Sequence, residues 1–318
     1  MRGLEVSIET INLAKSFKGL TAVDDVSFQV KKGELFGLLG PNGAGKTTTI
    51  RMLCTLLSPT SGTARVAGYD IVKEPARVRA KIGVVSEGVM LYRDLTAHEN
   101  LKLLGKLYRV APAELEGRIR KLLDFLDLSD RANDLVGNFS TGLMKRTQVA
   151  AALIHEPEVL FLDEVTSGLD PQSATSLREF TRDLCRQGIT TIWTTHYMFE
   201  PERLCDRVAI INRGKLLIID TPDMVRNTAK DFDVLEVTAA NLDDRVLSKI
   251  RATPGVLGLF LSNEVLRIMV KDHEAVFSDI LETIKVNGGD VRSVNVTVPS
   301  LEEAFISLTR GETGARNA

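Results

Sequence analysis

The strongest chemical character lies in one run, Gly40-Pro41-Asn42-Gly43-Ala44-Gly45-Lys46-Thr47, followed by Thr48. It fits the pattern G-x-x-x-x-G-K-[ST] throughout. Glycine at those spacings lets successive backbone N–H groups turn inward and wrap phosphate oxygens. Lys46 brings a mobile positive charge to the outer phosphates, and the Thr47 hydroxyl is a hard oxygen that ligates Mg2+. A second run, VLFLDE at 159–164, ends four apolar residues in two acids. Asp163 is placed to hold the hydration shell of the Mg2+, and Glu164 to orient an attacking water or take its proton. A third run, ITTIWTTH at 189–196, ends in the imidazole of His196. With its strand in the same sheet, His196 is placed to reach the outermost phosphate as a hydrogen-bonding switch, where a histidine after a strand otherwise serves structure. These are the parts of a site that hydrolyses a nucleoside triphosphate.

Strands and helices must aim those groups. ELFGLLG before the glycine run reads as an apolar strand, and TTTIRMLCTLL after it has helical spacing. A strand feeding a glycine loop and then a helix points the positive helix N-terminus at the phosphates. VLFLDE and ITTIWTTH read as fully buried parallel strands, and α/β sheets place ligands at the C-terminal edge of such strands. Near residue 222 the texture changes. TPDMVRN reads as a joint, with Pro222 ending the preceding strand. DVLEVTAA then reads as a strand, DDRVLSKIRA as a helix, and VLGLFLSNEVLRIMVKD as a hairpin turning at Ser262-Asn263-Glu264. HEAVFSDILETIKVNGG spaces Val276, Ile280, Leu281 and Ile284 for one helical face and stops at Gly288-Gly289. VRSVNVTV alternates as a strand, and SLEEAFISLTR reads as a short helix with Ser300 and Glu303 as a capping box. The tail GETGARNA is expected to fray.

Composition narrows the function. The chain has 318 residues, 44% hydrophobic and 26% charged, a globular profile with room for two domains. A net charge of −2 lacks the basic footprint of a nucleic-acid binder, so no nucleic acid is expected as a partner. No apolar run reaches the roughly 20 residues of a membrane span, and the first residues lack the apolar core of a secretory signal. Cys54, Cys185 and Cys205 are far apart, so they are expected as small core residues in a reducing cytoplasm.

In their order along the chain these runs resemble the ATP-binding cassette (ABC) family. Phe17, in LAKSFKG, falls where the family stacks an aromatic on adenine. IGVVSEGVMLYRDLTAHENL resembles the segment that contacts the membrane partner. NFSTGLMKRTQVAAALIHEPEVLFLDE resembles the signature motif and its helix, and TSGLD at 166–170, ending in Asp170, resembles the loop that crosses the dimer interface. The resemblance covers roughly residues 5 to 222. It implies an α/β fold, a P-loop NTPase of the ABC cassette type: a mixed sheet core with a helical subdomain at about 88–155. The small C-terminal α+β domain follows at 223–310, and a flexible tail at 311–318. It also implies ATP and Mg2+ as ligands. Ser140 and Gly142 open the signature helix and meet the γ-phosphate bound on the opposite subunit, so two cassettes bury two ATP molecules in a homodimer.

The chain departs from the family pattern at three places. Glu87 stands where most relatives carry glutamine; a carboxylate ligates Mg2+ but repels the γ-phosphate when the metal is absent. The signature reads Ser140-Thr141-Gly142-Leu143-Met144, which keeps the helix-end donors and loses the glutamine side chain. Val165 replaces the proline that usually follows the acids. CDRVAIINRGKLL, with the small domain ending in SLEEAFISLTR, is similar to cassettes of daunorubicin-resistance and sodium-export type exporters, and the STG signature with Glu87 leans to the sodium-export branch. The implied function is the ATP-hydrolysing subunit of an exporter. It would sit peripherally on the cytoplasmic face of the cell membrane and dock on a separate multi-span permease through the region from Glu87 to Glu99, where Val89, Met90, Leu91 and Tyr92 offer an apolar face. Two alternatives remain. One is a soluble cassette ATPase working on ribosomes or DNA, against which the charge and the lack of a tandem cassette count. The other is a non-hydrolysing nucleotide-dependent regulator, against which Glu164 and His196 count.

Overall fold

Strands β1 (Val6–Phe17) and β2 (Leu20–Lys31) form a hairpin whose two loop residues, Lys18 (φ 36) and Gly19 (φ 93), both take the positive φ that tight hairpins need. The computed structural model describes residues 5–86, 91–228 and 232–314. Strand β3 (Leu35–Leu39), buried at every residue, feeds the glycine run and helix α1 (Lys46–Leu53). That helix ends earlier than its apolar spacing suggests, because Thr55 turns left-handed (φ 59). Next come β4 (Ser61–Val66), β5 (Tyr69–Asp70), α2 (Pro75–Lys81) and β6 (Ile82–Val85). Three helices follow: α3 (Ala97–Leu107), α4 (Pro112–Phe125) and α5 (Thr141–Leu153). The chain then alternates through β7 (Val159–Asp163), α6 (Pro171–Arg186), β8 (Thr190–Thr195), α7 (Phe199–Leu204), β9 (Arg207–Asn212) and β10 (Lys215–Asp220).

The chain divides into two compact units, Met1–Pro222 and Asp223–Ala318. In the first, a six-stranded sheet runs β10-β9-β3-β8-β7-β6, and a four-stranded antiparallel sheet runs β2-β1-β4-β5. The larger sheet is parallel except at its β9–β10 edge, so it is mixed. The two sheets and α1 share one core, in which Phe28 stacks on Phe36 at 5.4 Å. Register positions the site. Leu39 lies opposite Thr195 and Asp163 opposite Thr194, so Gly40, Glu164 and His196 leave the sheet at one edge. Strand β8 buries four threonines, and each finds a polar partner: Thr190 accepts from Gly33 N, Thr191 from Cys185, Thr195 from Tyr197 N, and Thr194 donates to Asp163. The thiols behave as core groups. Cys54 and Cys205 are buried and pushed well up by desolvation, and burial lifts half-buried Cys185 to about 11.

The second unit begins in the short helix α8 (Pro222–Arg226). Strand β10 stops at Asp220, so Pro222 opens this helix, its fixed φ suiting a first helical turn. The unit continues with β11 (Asp233–Ala240), α9 (Asp244–Ala252), β12 (Val256–Ser262), β13 (Val265–Val270), α10 (His273–Val286), β14 (Asp290–Thr297) and α11 (Leu301–Gly314). Its antiparallel sheet runs β12-β13-β11-β14. Helices α9 and α10 bury Val246, Ile250, Val276, Ile280 and Ile284 against Leu235, Val237, Leu266 and Ile268, while Leu281 is only half-buried. The β12–β13 hairpin turns at left-handed Asn263 (φ 56). The Ser300–Glu303 capping box forms at α11, with Ser300 N donating to Glu303 Oε2 at 2.6 Å and Glu303 N to Ser300 Oγ at 3.4 Å. Helix α11 extends to Gly314, four residues into the stretch that composition reads as tail, and 315–318 lie outside the described residues.

Candidate active site

The glycine run is shaped by close backbone approaches. A Cβ on Gly40 (φ 154) would lie 2.1 Å from Ile211 O, and one on Gly45 (φ 109) would lie 2.5 Å from Ala22 O. Only glycine fits both places. Gly45 is also the N-cap of α1, so the first turn of that helix opens directly from the loop. Lys46 is buried, and its Nζ donates to Gly40 O at 2.7 Å and Pro41 O at 3.2 Å while lying 3.5 Å from Glu164 Oε1. The loop's own carbonyls thus hold the ammonium where a phosphate would compete for it.

Two hydroxyls converge on Asp163 Oδ1: Thr194 Oγ1 donates at 2.5 Å and Thr47 Oγ1 at 3.4 Å. Asp163 is buried, and the Thr47 hydroxyl beside it completes an oxygen-only donor set of the kind that suits Mg2+. Glu164 adopts a left-handed backbone (φ 53), unusual for a non-glycine residue and concentrated at functional sites. Its N–H donates to Thr194 Oγ1 at 3.1 Å and to Thr194 O at 3.2 Å. Its Oε2 lies 2.7 Å from His196 Nδ1. The imidazole in turn packs on the Tyr197 ring, with centroids 4.0 Å apart.

Lys46, Thr47, Asp163, Glu164 and His196 line one cleft of about 1060 Å³, together with Phe17, Asn42, Gly43, Ala44, Gly45, Thr48 and Ser167. Phe17 is 44% exposed there, with Lys15 Nζ 5.2 Å from its ring centroid. Gly40 and Pro41 do not line the cleft; they act behind it, through the carbonyls that hold Lys46. Among the described residues, Ser140, Gly142 and Asp170 lie outside it. Ser140 caps α5, its exposed Oγ accepting from Leu143 N at 3.3 Å, and borders a separate cavity of about 660 Å³ with Phe139 and Leu143. Gly142 is buried, and a Cβ there would stand 2.6 Å from Ser173 Oγ. Asp170 caps α6, accepting from Ser173 N at 2.9 Å, and hydrogen bonding from Ser173 holds its carboxyl below the usual range. Glu87, with Val89 and Met90, lies outside the described residues. Next to them Leu91 is buried, so of the apolar face expected at 89–92 only Tyr92 is seen exposed. Sequence reasoning missed Thr194, although its place two residues before His196 in TTH, on a strand neighbouring VLFLDE, is a usable signal.

The pattern of the ABC transporter family matches residues 23–167. The linearmycin resistance ATP-binding protein of Bacillus subtilis is 38% identical over 304 residues, covering 95% of this chain and 98% of that protein. The chain belongs to the ABC transporter family of ATP-binding cassettes. The daunorubicin/doxorubicin resistance ATP-binding protein of Streptomyces peucetius is 35% identical over 307 residues, 95% of this chain and 92% of that one. A solved ATP-binding subunit of an ABC transporter superposes with a TM-score of 0.64 at 31% identity, over 70% of this chain and 92% of that one. This cassette therefore binds ATP and hydrolyses it, and the mixed sheet with its helical excursion is the ABC form of the P-loop fold. Among the described residues no helix is long and apolar enough to cross a membrane.

Proposed function

We propose that this chain is the energy-coupling subunit of an exporter, in which two copies close head to tail on two MgATP and drive a separate multi-span permease from the cytoplasmic face of the membrane. The observation that carries this reading is the partition of the site. Lys46, Thr47, Asp163, Glu164 and His196 gather in one cleft, whereas Ser140 and Asp170 stand exposed on helix N-termini outside it. A helix N-terminus bearing an exposed hydroxyl is suited to bind an anion. In the dimer this end of one copy meets the phosphates held in the cleft of the other. The apolar Leu56, Leu104 and Tyr108 that extend the same cleft, together with exposed Tyr92, supply contact surface for the permease.

In the closed dimer Lys46 leaves the Gly40 and Pro41 carbonyls for the β- and γ-phosphates. Thr47 and Asp163 would hold Mg2+, which would neutralise phosphate charge when bound. Phe17 stacks on the adenine, and the backbone from Asn42 to Thr48 wraps the phosphates. Glu164 orients the attacking water and accepts its proton, and His196 steadies that carboxylate at Oε2 while its free nitrogen addresses the γ-phosphate. Ser140, the backbone at Gly142 and the loop ending in Asp170 close the site from the second copy. Glu164→Gln removes the proton acceptor and keeps the shape. Light scattering with MgATP is expected to find this variant dimeric, with phosphate release abolished. A variant that stays monomeric both alone and with membranes overturns the sandwich.

A further inference from the structure

A buried carboxylate that takes no part in the chemistry lies just behind the hydrolytic pair. Glu200, in α7, is almost fully buried and does not line the cleft. Its Oε2 accepts a hydrogen bond from Thr166 Oγ1 at 2.9 Å, and its Oε1 lies 4.0 Å from an Arg178 guanidinium nitrogen of α6. Thr166, also buried, follows Glu164 by two residues, and Glu200 follows His196 by four. The Glu164–His196 contact at 2.7 Å and the Thr166–Glu200 bond at 2.9 Å therefore close a ring through two short stretches of chain. Other bonds stiffen each stretch. Ser167 N donates to Glu164 O at 3.2 Å and Leu169 N to Thr166 O at 3.1 Å, while Tyr197 N donates to Thr195 Oγ1 at 3.0 Å and Glu200 N to Tyr197 O at 3.4 Å. A left-handed Glu164 persists only where its surroundings over-determine it. Thr194 restrains it on the upstream side, and the ring restrains it downstream.

We infer that Glu200 is a positioning residue for hydrolysis: by accepting from Thr166 it fixes the backbone that carries Glu164 against the backbone that carries His196. The inference rests on the proposed roles of that pair. Glu200 touches neither nucleotide nor water. It sets how well the Glu164 carboxylate is aimed, so its loss lowers turnover without loosening ATP.

The test uses the full chain carrying Thr166→Val, Glu200→Gln, Glu200→Ala, the double variant Thr166→Val/Glu200→Ala, and Glu164→Gln. Turnover is expressed per mole of bound nucleotide, beside the Kd for MgATP. Thr166→Val is expected to lower kcat about tenfold, as a sub-ångström loss of alignment does. Its Kd stays put, so the loss falls on kcat alone. Glu200→Gln retains most of the rate, since its amide carbonyl still accepts from Thr166. The double variant is no slower than Glu200→Ala alone, because both changes break one bond. Wild-type kcat in Thr166→Val overturns the inference, as does Glu200→Gln falling as far as Glu200→Ala. If Glu200→Ala does not fold, Thr166→Val and Glu200→Gln decide alone. Wild-type turnover in Glu164→Gln breaks the reading of the hydrolytic pair instead. A dead Glu164→Gln beside a fully active Thr166→Val breaks this inference only.

Discussion

Each unit of the chain withdraws charge from water, and the two do it differently. In the second unit Arg267 donates to Glu303 from two nitrogens (2.9 and 3.1 Å), to Glu236 (2.8 Å) and to Val298 O (3.2 Å). Glu303 is 1% exposed and also caps α11, so strand, neighbouring strand and helix close on one guanidinium. In the first unit Lys46 rests on two carbonyls, stands 3.5 Å from Glu164, and shares that acid with His196 beside an open cleft. A planar fork with matched acceptors is a finished network, and it holds shape. A point charge on carbonyl acceptors beside an open cleft is one that an anion could draw away. Lys46→Ala tests the second half of that contrast and carries the largest effect. Turnover is expected to fall by about 10²- to 10³-fold, with weaker ATP binding and an unchanged unfolding midpoint. A large loss of stability instead would make Lys46 a structural residue like Arg267.

Arg267→Ala tests the first half. It leaves Glu303 buried without its cation, so the second unit is expected to lose about 3 kcal/mol. Hydrogen exchange should find the amides of α11 and β13 deprotected, because the fork joins those elements. ATP turnover measured below the unfolding transition should stay within about twofold, the ordinary scatter for a change that touches no site residue. A destabilisation under about 1 kcal/mol would mean that the network behaves as an exposed salt bridge does.

The same contrast explains what the sequence discloses. The glycine run, VLFLDE and TTH are contiguous, and their chemistry depends on neighbours along the chain, so they are readable as strings. The second unit is legible too, since its strands and helices follow plain periods of two and 3.6. Contacts made through register are not legible. Thr194 reaches Asp163 because β7 and β8 pair in parallel at that level, and no local pattern fixes the level. The Thr166–Glu200 bond needs the loop after β7 to meet helix α7 after the strands are set. Strand order is hidden for a similar reason: β3 takes its neighbours, β8 and β9, from far down the chain. Burial of Leu91 beside exposed Tyr92 depends on Asn100, which is itself buried, donates to Tyr92 O at 3.0 Å and accepts from Tyr92 N at 2.8 Å. Pro222 was read as a stop because proline ends strands, yet proline also opens helices, and composition alone does not choose between the two.

The smallest effect belongs to a half-buried pair that the contrast ranks below both networks. His273 Nδ1 lies 2.8 Å from Asp233 Oδ2, and the same oxygen accepts from His273 N at 3.1 Å. The hydrogen bond to Asp233 raises the His273 pKa, helped by the fields of Asp233, Glu274 and Asp272, and the bond from His273 lowers that of Asp233. The signs set a window. A raised histidine contributes stability that is complete below its unfolded value of about 6.5 and lost as pH rises through its folded value. A lowered aspartate contributes stability that is complete above about 3.9 and lost as pH falls through its folded value. The pair therefore stabilises the second unit most between about pH 4 and 6.5. Unfolding midpoints measured upward from the top of that window should drift down in the wild type and drift less in His273→Gln, which keeps a donor and cannot titrate. Equal drifts in the two proteins would assign the alkaline loss to other groups. A drift as large as the effect of Arg267→Ala would show that exposure does not rank these charges.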